Sequence, residues 1–220
     1  MRFSVFQILY MITNSLKMKK SIWILAIVLA ISVGLYPVIY FLVDPKFGLL
    51  GSKPEALLTD AIWNYAFYAH ILPGGLALLV GWTQFNSRFR NKNLKIHKSL
   101  GYVYMVSVWI SALAGIYIAH FATGGLISAL GFICLGIIWF STTTMAYRHI
   151  KNKQVEQHQK MMIYSYSACF AAVTLRIWLP ILTAITGDFF IAYPIVAWLC
   201  WVPNVIVANR LVKALVPQAF

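Results

Sequence analysis

Apolar residues run along this chain in six long, nearly unbroken stretches, approximately Ser21–Val43, Ile62–Phe85, Leu100–Phe121, Leu126–Tyr147, Met161–Ile185 and Phe189–Val212. A bilayer core about 30 Å thick needs about 20 apolar residues of helix to cross it. None of the stretches alternates apolar and polar positions as a barrel strand does. A helix satisfies its own backbone groups inside lipid. The pattern therefore predicts an all-α fold, a polytopic membrane helical bundle of six transmembrane helices. Residues 21–212 form the membrane domain, 1–20 an N-terminal segment and 213–220 a short tail. Met18-Lys19-Lys20 resembles an alternative start, which makes residues 1–17 an upstream extension. A cleaved signal peptide fits poorly, because its apolar region is about 7–15 residues.

Composition agrees with the pattern. The chain has 220 residues, 61% of them hydrophobic and 10% charged. A soluble domain is usually about 45–50% apolar and roughly 25% charged. Those figures exclude a disordered chain, a coiled coil and a disulfide scaffold, and they disfavour a soluble enzyme.

The charges set an expected orientation. The 18 basic residues outnumber five acids, for a net charge of +13. All the basic residues except Lys46, Lys53 and Arg176 fall before span one, between spans two and three, between spans four and five, or at the close of span six. On the other side lie Asp44, Glu55, Asp60 and Asp188. The positive-inside rule then predicts both termini in the cytoplasm, in a bacterial cytoplasmic (inner) membrane. The charge is a topology signal facing lipid headgroups and calls for no nucleic acid. A homodimer or a larger membrane complex is the remaining partner expectation.

Ionisable side chains within spans are costly and mark candidate sites. His70 lies about nine residues into span two and is followed by Pro73-Gly74-Gly75. Arg176 lies at nearly the same depth in span five and is followed by Pro180. Each proline denies its helix one hydrogen bond, which predicts loosened backbone at that level. Together they predict an outer-half polar pocket. The competing reading pairs Arg176 with Asp60 or Asp188 and His70 with a loose carbonyl. His97 and His158 lie at the cytoplasmic starts of spans three and five. Along span five His158, Ser165, Cys169, Ala172 and Arg176 share one face; along span three His97, Tyr104 and Ser111 do, and His70 shares a face with Gln84. Such faces point to a bundle interior. His120 and His149 read as interfacial. Cys134, Cys169 and Cys200 read as small core residues.

One ordered string carries a resemblance. It comprises His70 with its glycines, Gly81, Gln84-Phe85, Arg88 and His97-Lys98-Ser99-Leu100-Gly101-Tyr102-Val103-Tyr104. It continues through Gly124-Gly125, Trp139, His158-Gln159-Lys160-Met161-Met162 and Ala171-Ala172-Val173-Thr174-Leu175-Arg176. In this the chain resembles a bacterial membrane-protein family catalogued as domain of unknown function 2306, with a family-like core at 62–185. The family pattern has His-Arg where this chain has His97-Lys98, and a Trp where it has Met161. The resemblance implies His70, His97, His158 and Arg176 as a polar signature, and it implies no activity.

Three functions follow as expectations. The first is a b-type haem or quinone-linked electron-transfer bundle, with His97 and His158 as haem-iron ligands, a quinone at His70 and Arg176, and Tyr104 and Gln84 in support. The second is a transporter or binding protein for a small molecule or anion, with its pocket at His70 and Arg176. The third is a structural or assembly subunit whose polar groups are interhelical glue. Whether the chain is an enzyme stays open; it has no HExxH motif and no G-x-S-x-G elbow.

Overall fold

The computed structural model describes residues 5–42 and 48–215, together with their side chains except those of 5–19, 49 and 215. Arg2, Asp44, Lys46 and the end of span one at Val43 lie outside the described residues. All regular structure described is helical. Six helices are long and apolar enough to cross a membrane: Lys20–Phe41, Ala61–Phe85, Leu94–Ala119, Gly125–Lys151, Val155–Thr186 and Phe189–Ala214.

In chain order the elements are α1 (Val5–Leu35), the short α2 (Glu55–Leu58), α3 (Ala61–Gly81), α4 (Ser87–Lys92), α5 (Leu94–Ala119), α6 (Gly125–Lys151), α7 (Val155–Cys169), α8 (Ala171–Thr186), α9 (Phe189–Leu199) and α10 (Val202–Leu215). Consecutive spans alternate in direction. One end, here the basic end, carries α4 and the α6–α7 turn. The opposite, far end carries α2, the α5–α6 turn at Gly124 (φ +87°) and the α8–α9 turn. Two carboxylates start helices at the far end. Asp60 accepts from the Trp63 backbone N–H (2.7 Å), and Asp188 from that of Phe190 (2.7 Å). Each satisfies an end-of-helix donor that nothing inside the helix can reach.

Large apolar side chains such as Leu25, Val28, Val106, Leu113, Ile137, Ile195 and Ile206 are exposed on the outside. A soluble protein would bury them, and a bilayer covers them instead. Inside, α3 packs along α5, α5 along α6, α6 along α7, and α8 along α9, with α1 laid against α3.

The spans differ from the sequence reading in two ways. First, the third and fifth begin about two turns earlier, at Leu94 and Val155. Their opening turns are polar but helical, so an apolar count misses them. His97 and His158 consequently sit within helices. Second, the helices run through Pro73 and Pro180. The interruptions fall instead at Phe170, between α7 and α8, and at Cys200–Trp201, between α9 and α10. Side chains bind these two breaks together. The Thr174 hydroxyl donates to the Cys200 carbonyl, and Asn204 Nδ2 donates to the same carbonyl (3.0 Å) and to Thr174 Oγ1 (3.2 Å). A threonine hydroxyl that engages carbonyls competes with the helix ladder and bends it.

Candidate functional site

A cavity of about 570 Å³ opens within the bundle towards its far end. Spans one, two, three, four, five and six all contribute to its wall. That volume falls within the usual range for small-molecule sites, about 300–1,000 Å³. His70 and Arg176 both line it. Each lies about 14 Å along its helix from the far end, at 1.5 Å of rise per residue.

His70 is fixed against α5. Its Nδ1 lies 2.8 Å from the Ser111 carbonyl oxygen, and the Ser111 hydroxyl donates back to the His70 carbonyl (2.7 Å). A carbonyl only accepts, so Nδ1 carries the hydrogen. Nε2 has no hydrogen-bond partner among the described residues, and the ring lines the cavity. Two glycines make room for this pair. A Cβ on Gly115 would stand 2.7 Å from His70 Nδ1, and one on Gly74 2.8 Å from Ser111 Oγ. Those spacings are tighter than side-chain contacts allow, so the α3–α5 seam depends on both.

Arg176 joins the cavity lining from α8. One guanidinium nitrogen donates to the Ala172 carbonyl one turn back (2.9 Å), and the group sits 4.4 Å over the Tyr36 ring. A cation over an aromatic face gains about 0.5–2 kcal/mol, depending on desolvation. Among the described residues no carboxylate lies within ion-pair distance of it. Asp60 and Asp188 are occupied as helix caps, and the Glu156–Lys160 pair (2.6 Å) lies at the basic end.

From Arg176 an aromatic wall follows: Tyr36 against Tyr40 (5.9 Å between ring centroids), Tyr40 against Phe67 (5.3 Å), and Phe67 stacked on Trp63 (5.3 Å). The Trp63 indole N–H is buried without an acceptor. At the rim Lys53 donates to the Phe121 carbonyl (2.5 Å) and to Thr123 Oγ1 (3.1 Å), tying the far-end loop to the α5–α6 turn. Burial pushes the Lys53 ammonium below the usual lysine range. Among the described residues the cavity lining holds no acid. Its polarity is that of a positively charged receptacle with aromatic sides.

The remaining sequence candidates lie elsewhere. His97 and His158 are each the fourth residue of their helix, at the basic end, and neither lines the cavity. His158 Nδ1 donates to the Ala146 carbonyl (2.9 Å), while His97 Nδ1 is buried without a partner. Gln84 lies in the 3₁₀ turn Trp82–Phe85 and donates to Thr83 Oγ1 (3.1 Å). Tyr104 is buried between α5 and α7, its hydroxyl 2.7 Å from Ser165 Oγ. His120 and His149 bond within their own helix end or turn. The three cysteines are free thiols in the interior. Among the described residues no group of three or more His, Cys, Asp or Glu side chains converges as a metal site.

A family model matches residues 67–212, from the aromatic wall in α3 through the sixth span. The chain belongs to the family of predicted membrane proteins called DUF2306. The match places His70, Ser111 and Arg176 inside the DUF2306 region, and leaves Tyr36, Tyr40 and Lys53 outside it. It also extends through the sixth span, beyond the string of motifs that suggested it. Neither the curated proteins nor the solved structures contain a match to this chain.

Sequence reasoning did not single out Tyr36, Tyr40 or Lys53, and it placed Ser111 on a stripe without pairing it to His70. Two tyrosines four residues apart at the end of a span were the available signal, since that spacing puts them on one face.

Proposed function

We propose that this DUF2306 protein binds an organic anion with an apolar, ring-bearing body in its far-end cavity, as a carrier or a receptor in the membrane. The observation that carries this reading is Arg176. A guanidinium cannot shed its proton in a protein. Held at membrane depth without a carboxylate partner among the described residues, it is costly, and such residues mark ligand pathways. An anion in the cavity supplies the missing charge. The aromatic wall supplies a surface for the ligand's body, and Lys53 at the rim adds a second positive group.

The charge asymmetry of the two ends supports a cytoplasmic basic end by the positive-inside rule. The cavity then opens to the outside of a bacterial cytoplasmic membrane. A fluorescent reporter fused after residue 220, which folds only in the cytoplasm, tests that orientation.

The electron-transfer reading divides. A quinone would fill the same cavity and accept from Arg176, but it leaves the guanidinium's charge uncompensated, so the anion is favoured. A haem held by His97 and His158 would sit at the basic end, away from the cavity. Oxidised and reduced visible spectra of the purified protein test it directly, and a reduced b-type α band would restore it.

The deciding experiment is calorimetric titration of 2-naphthoate into the protein in lipid nanodiscs, beside 2-naphthol as the uncharged control. Binding of the acid and not the alcohol, lost in Arg176→Met, is the expected outcome. Equal binding of both, or an unchanged affinity in Arg176→Met, overturns the reading.

A further inference from the structure

The Arg176 wall specifies an acid, and the His70 wall specifies something more. Resting on the anion reading above, we propose that the natural ligand is a hydroxylated aromatic acid whose hydroxyl donates to His70 Nε2 while its acid faces Arg176.

The argument begins with which nitrogen bears the proton. Nδ1 is 2.8 Å from the Ser111 carbonyl and 3.2 Å from the Ser111 hydroxyl. That hydroxyl has one hydrogen, which it gives to the His70 carbonyl. Both Ser111 oxygens are thus acceptors towards the ring. Nδ1 must donate, and the neutral ring has a bare acceptor at Nε2. Ser111 is fully buried, and the glycines at 74 and 115 leave no slack, so the ring cannot turn over without breaking the pair. A fixed acceptor on a wall otherwise built of rings and small apolar side chains discriminates for a donor.

The cavity's hydroxyls, on Tyr36, Tyr40 and Tyr193, can donate or accept, whereas its two cations, Arg176 and Lys53 at the rim, only donate. A carboxylate or phosphate satisfies them. Neither group, once fully deprotonated, can satisfy Nε2. The ligand therefore needs a hydroxyl or N–H besides its acid. Tyr36, Tyr40, Phe67 and Trp63 continue from Arg176 as a chain of ring contacts. Flat ring systems match such a surface through offset or edge contacts. A phenolic hydroxyl on the ring itself gives the donor at no cost in extra rotatable bonds.

The size of the preference is set by water. An acceptor left dry would reject a donor-free ligand by orders of magnitude. A cavity of about 570 Å³ has room for water beside a bicyclic ligand, so water partly replaces the missing donor. The expected preference is about tenfold, the effect of one net hydrogen bond.

The test compares 2-naphthoate with its 5-, 6- and 7-hydroxy derivatives by calorimetry in nanodiscs at pH 8, where an unperturbed histidine is neutral. We expect at least one hydroxy acid to bind about tenfold more tightly than 2-naphthoate, and His70→Leu to bind both alike at the weaker affinity. Nitrogen NMR of histidine-labelled protein gives a second readout, in which the bare Nε2 resonance moves upfield with the hydroxy acid and stays with 2-naphthoate. Equal affinities across the series in the unaltered protein overturn the donor requirement and leave the anion reading standing. Failure of every acid to bind folded protein overturns both. The ranking needs no variant, so a His70→Leu chain that does not fold leaves the test intact.

Discussion

Two polar clusters occupy the interior of this bundle, and they treat their hydrogen bonds in opposite ways. Around Ser165, between α5, α6 and α7, the groups satisfy each other. Ser165 Oγ lies 2.7 Å from the Tyr104 hydroxyl and 2.6 Å from Thr143 Oγ1, and Thr143 donates to the Trp139 carbonyl (2.7 Å). The Trp139 indole N–H reaches the Tyr104 hydroxyl (3.4 Å), and Tyr166 donates to the Leu78 carbonyl (3.3 Å). In the cavity nearer the far end, among the described residues, His70 keeps a bare nitrogen and Arg176 a charge with no carboxylate partner. A closed network of small polar groups joins helices inside lipid. An open one costs free energy until something else closes it. The same residue chemistry therefore does two jobs, and the count of satisfied partners separates them.

The contrast is broken most severely in the closed cluster. A Cβ on Gly81 would stand 2.4 Å from one Tyr166 ring carbon and 3.0 Å from a Tyr104 ring carbon. Both rings are held by their hydroxyl bonds and cannot withdraw. Gly81→Ala should lower stability by about 3 kcal/mol, at the upper end of ordinary overpacking, or prevent folding. Thermal unfolding followed by intrinsic fluorescence in detergent measures it. An unchanged midpoint would mean that the cluster is pliable.

Next in size is Arg176→Met, which reverses the pattern. Binding of 2-naphthoate should weaken about a hundredfold, which corresponds to about 2.7 kcal/mol at 1.4 kcal/mol per decade. The thermal midpoint should hold or rise, since removing an uncompensated charge removes a desolvation penalty. A midpoint that falls steeply would make Arg176 part of the scaffold and erase the distinction between the two clusters. Ser165→Ala lies between: it leaves the Tyr104 and Thr143 hydroxyls without their common partner. A loss of about 1–2 kcal/mol is expected, with ligand affinity unaltered, and the paired measurement shows whether the closed cluster supports the cavity.

How much of this the sequence foretold differs between the clusters too. The six spans were legible because lipid thickness demands long apolar runs. His70 and Arg176 were legible because ionisable groups are rare in such runs. The bends at Phe170 and Cys200 were not, since Thr174 and Asn204 make them by contacts between spans. At Pro73 and Pro180 the complementary reason applies: local chemistry denies each helix one hydrogen bond, yet neither helix ends there. The early starts at Leu94 and Val155 were hidden by polar first turns. Tyr36, Tyr40 and Lys53 joined the site only through the packing of the end of the first span and the far-end loop on α3 and α5, which no periodicity within one span encodes.

Lys53 gives the smallest and most selective test of the open cluster. It is half-buried at the rim, and burial holds its ammonium below the usual lysine range. The charged form attracts an anion and the neutral form does not. Affinity contributed by Lys53 is therefore complete at neutral pH and is lost as pH rises through a midpoint lower than the ordinary lysine value of about 10.4. Because Lys53 already donates to Phe121 and Thr123, its share is a few-fold, comparable with an exposed ion pair. Titrating 2-naphthoate, which has no phenol to ionise, from pH 7.5 to 10 should show that few-fold loss in the unaltered protein. Lys53→Met should start at the weaker affinity and stay level, while Arg176 keeps its charge throughout and preserves the remainder. An equally steep alkaline loss in Lys53→Met would assign the titration to another group and leave Arg176 as the cation that defines the site.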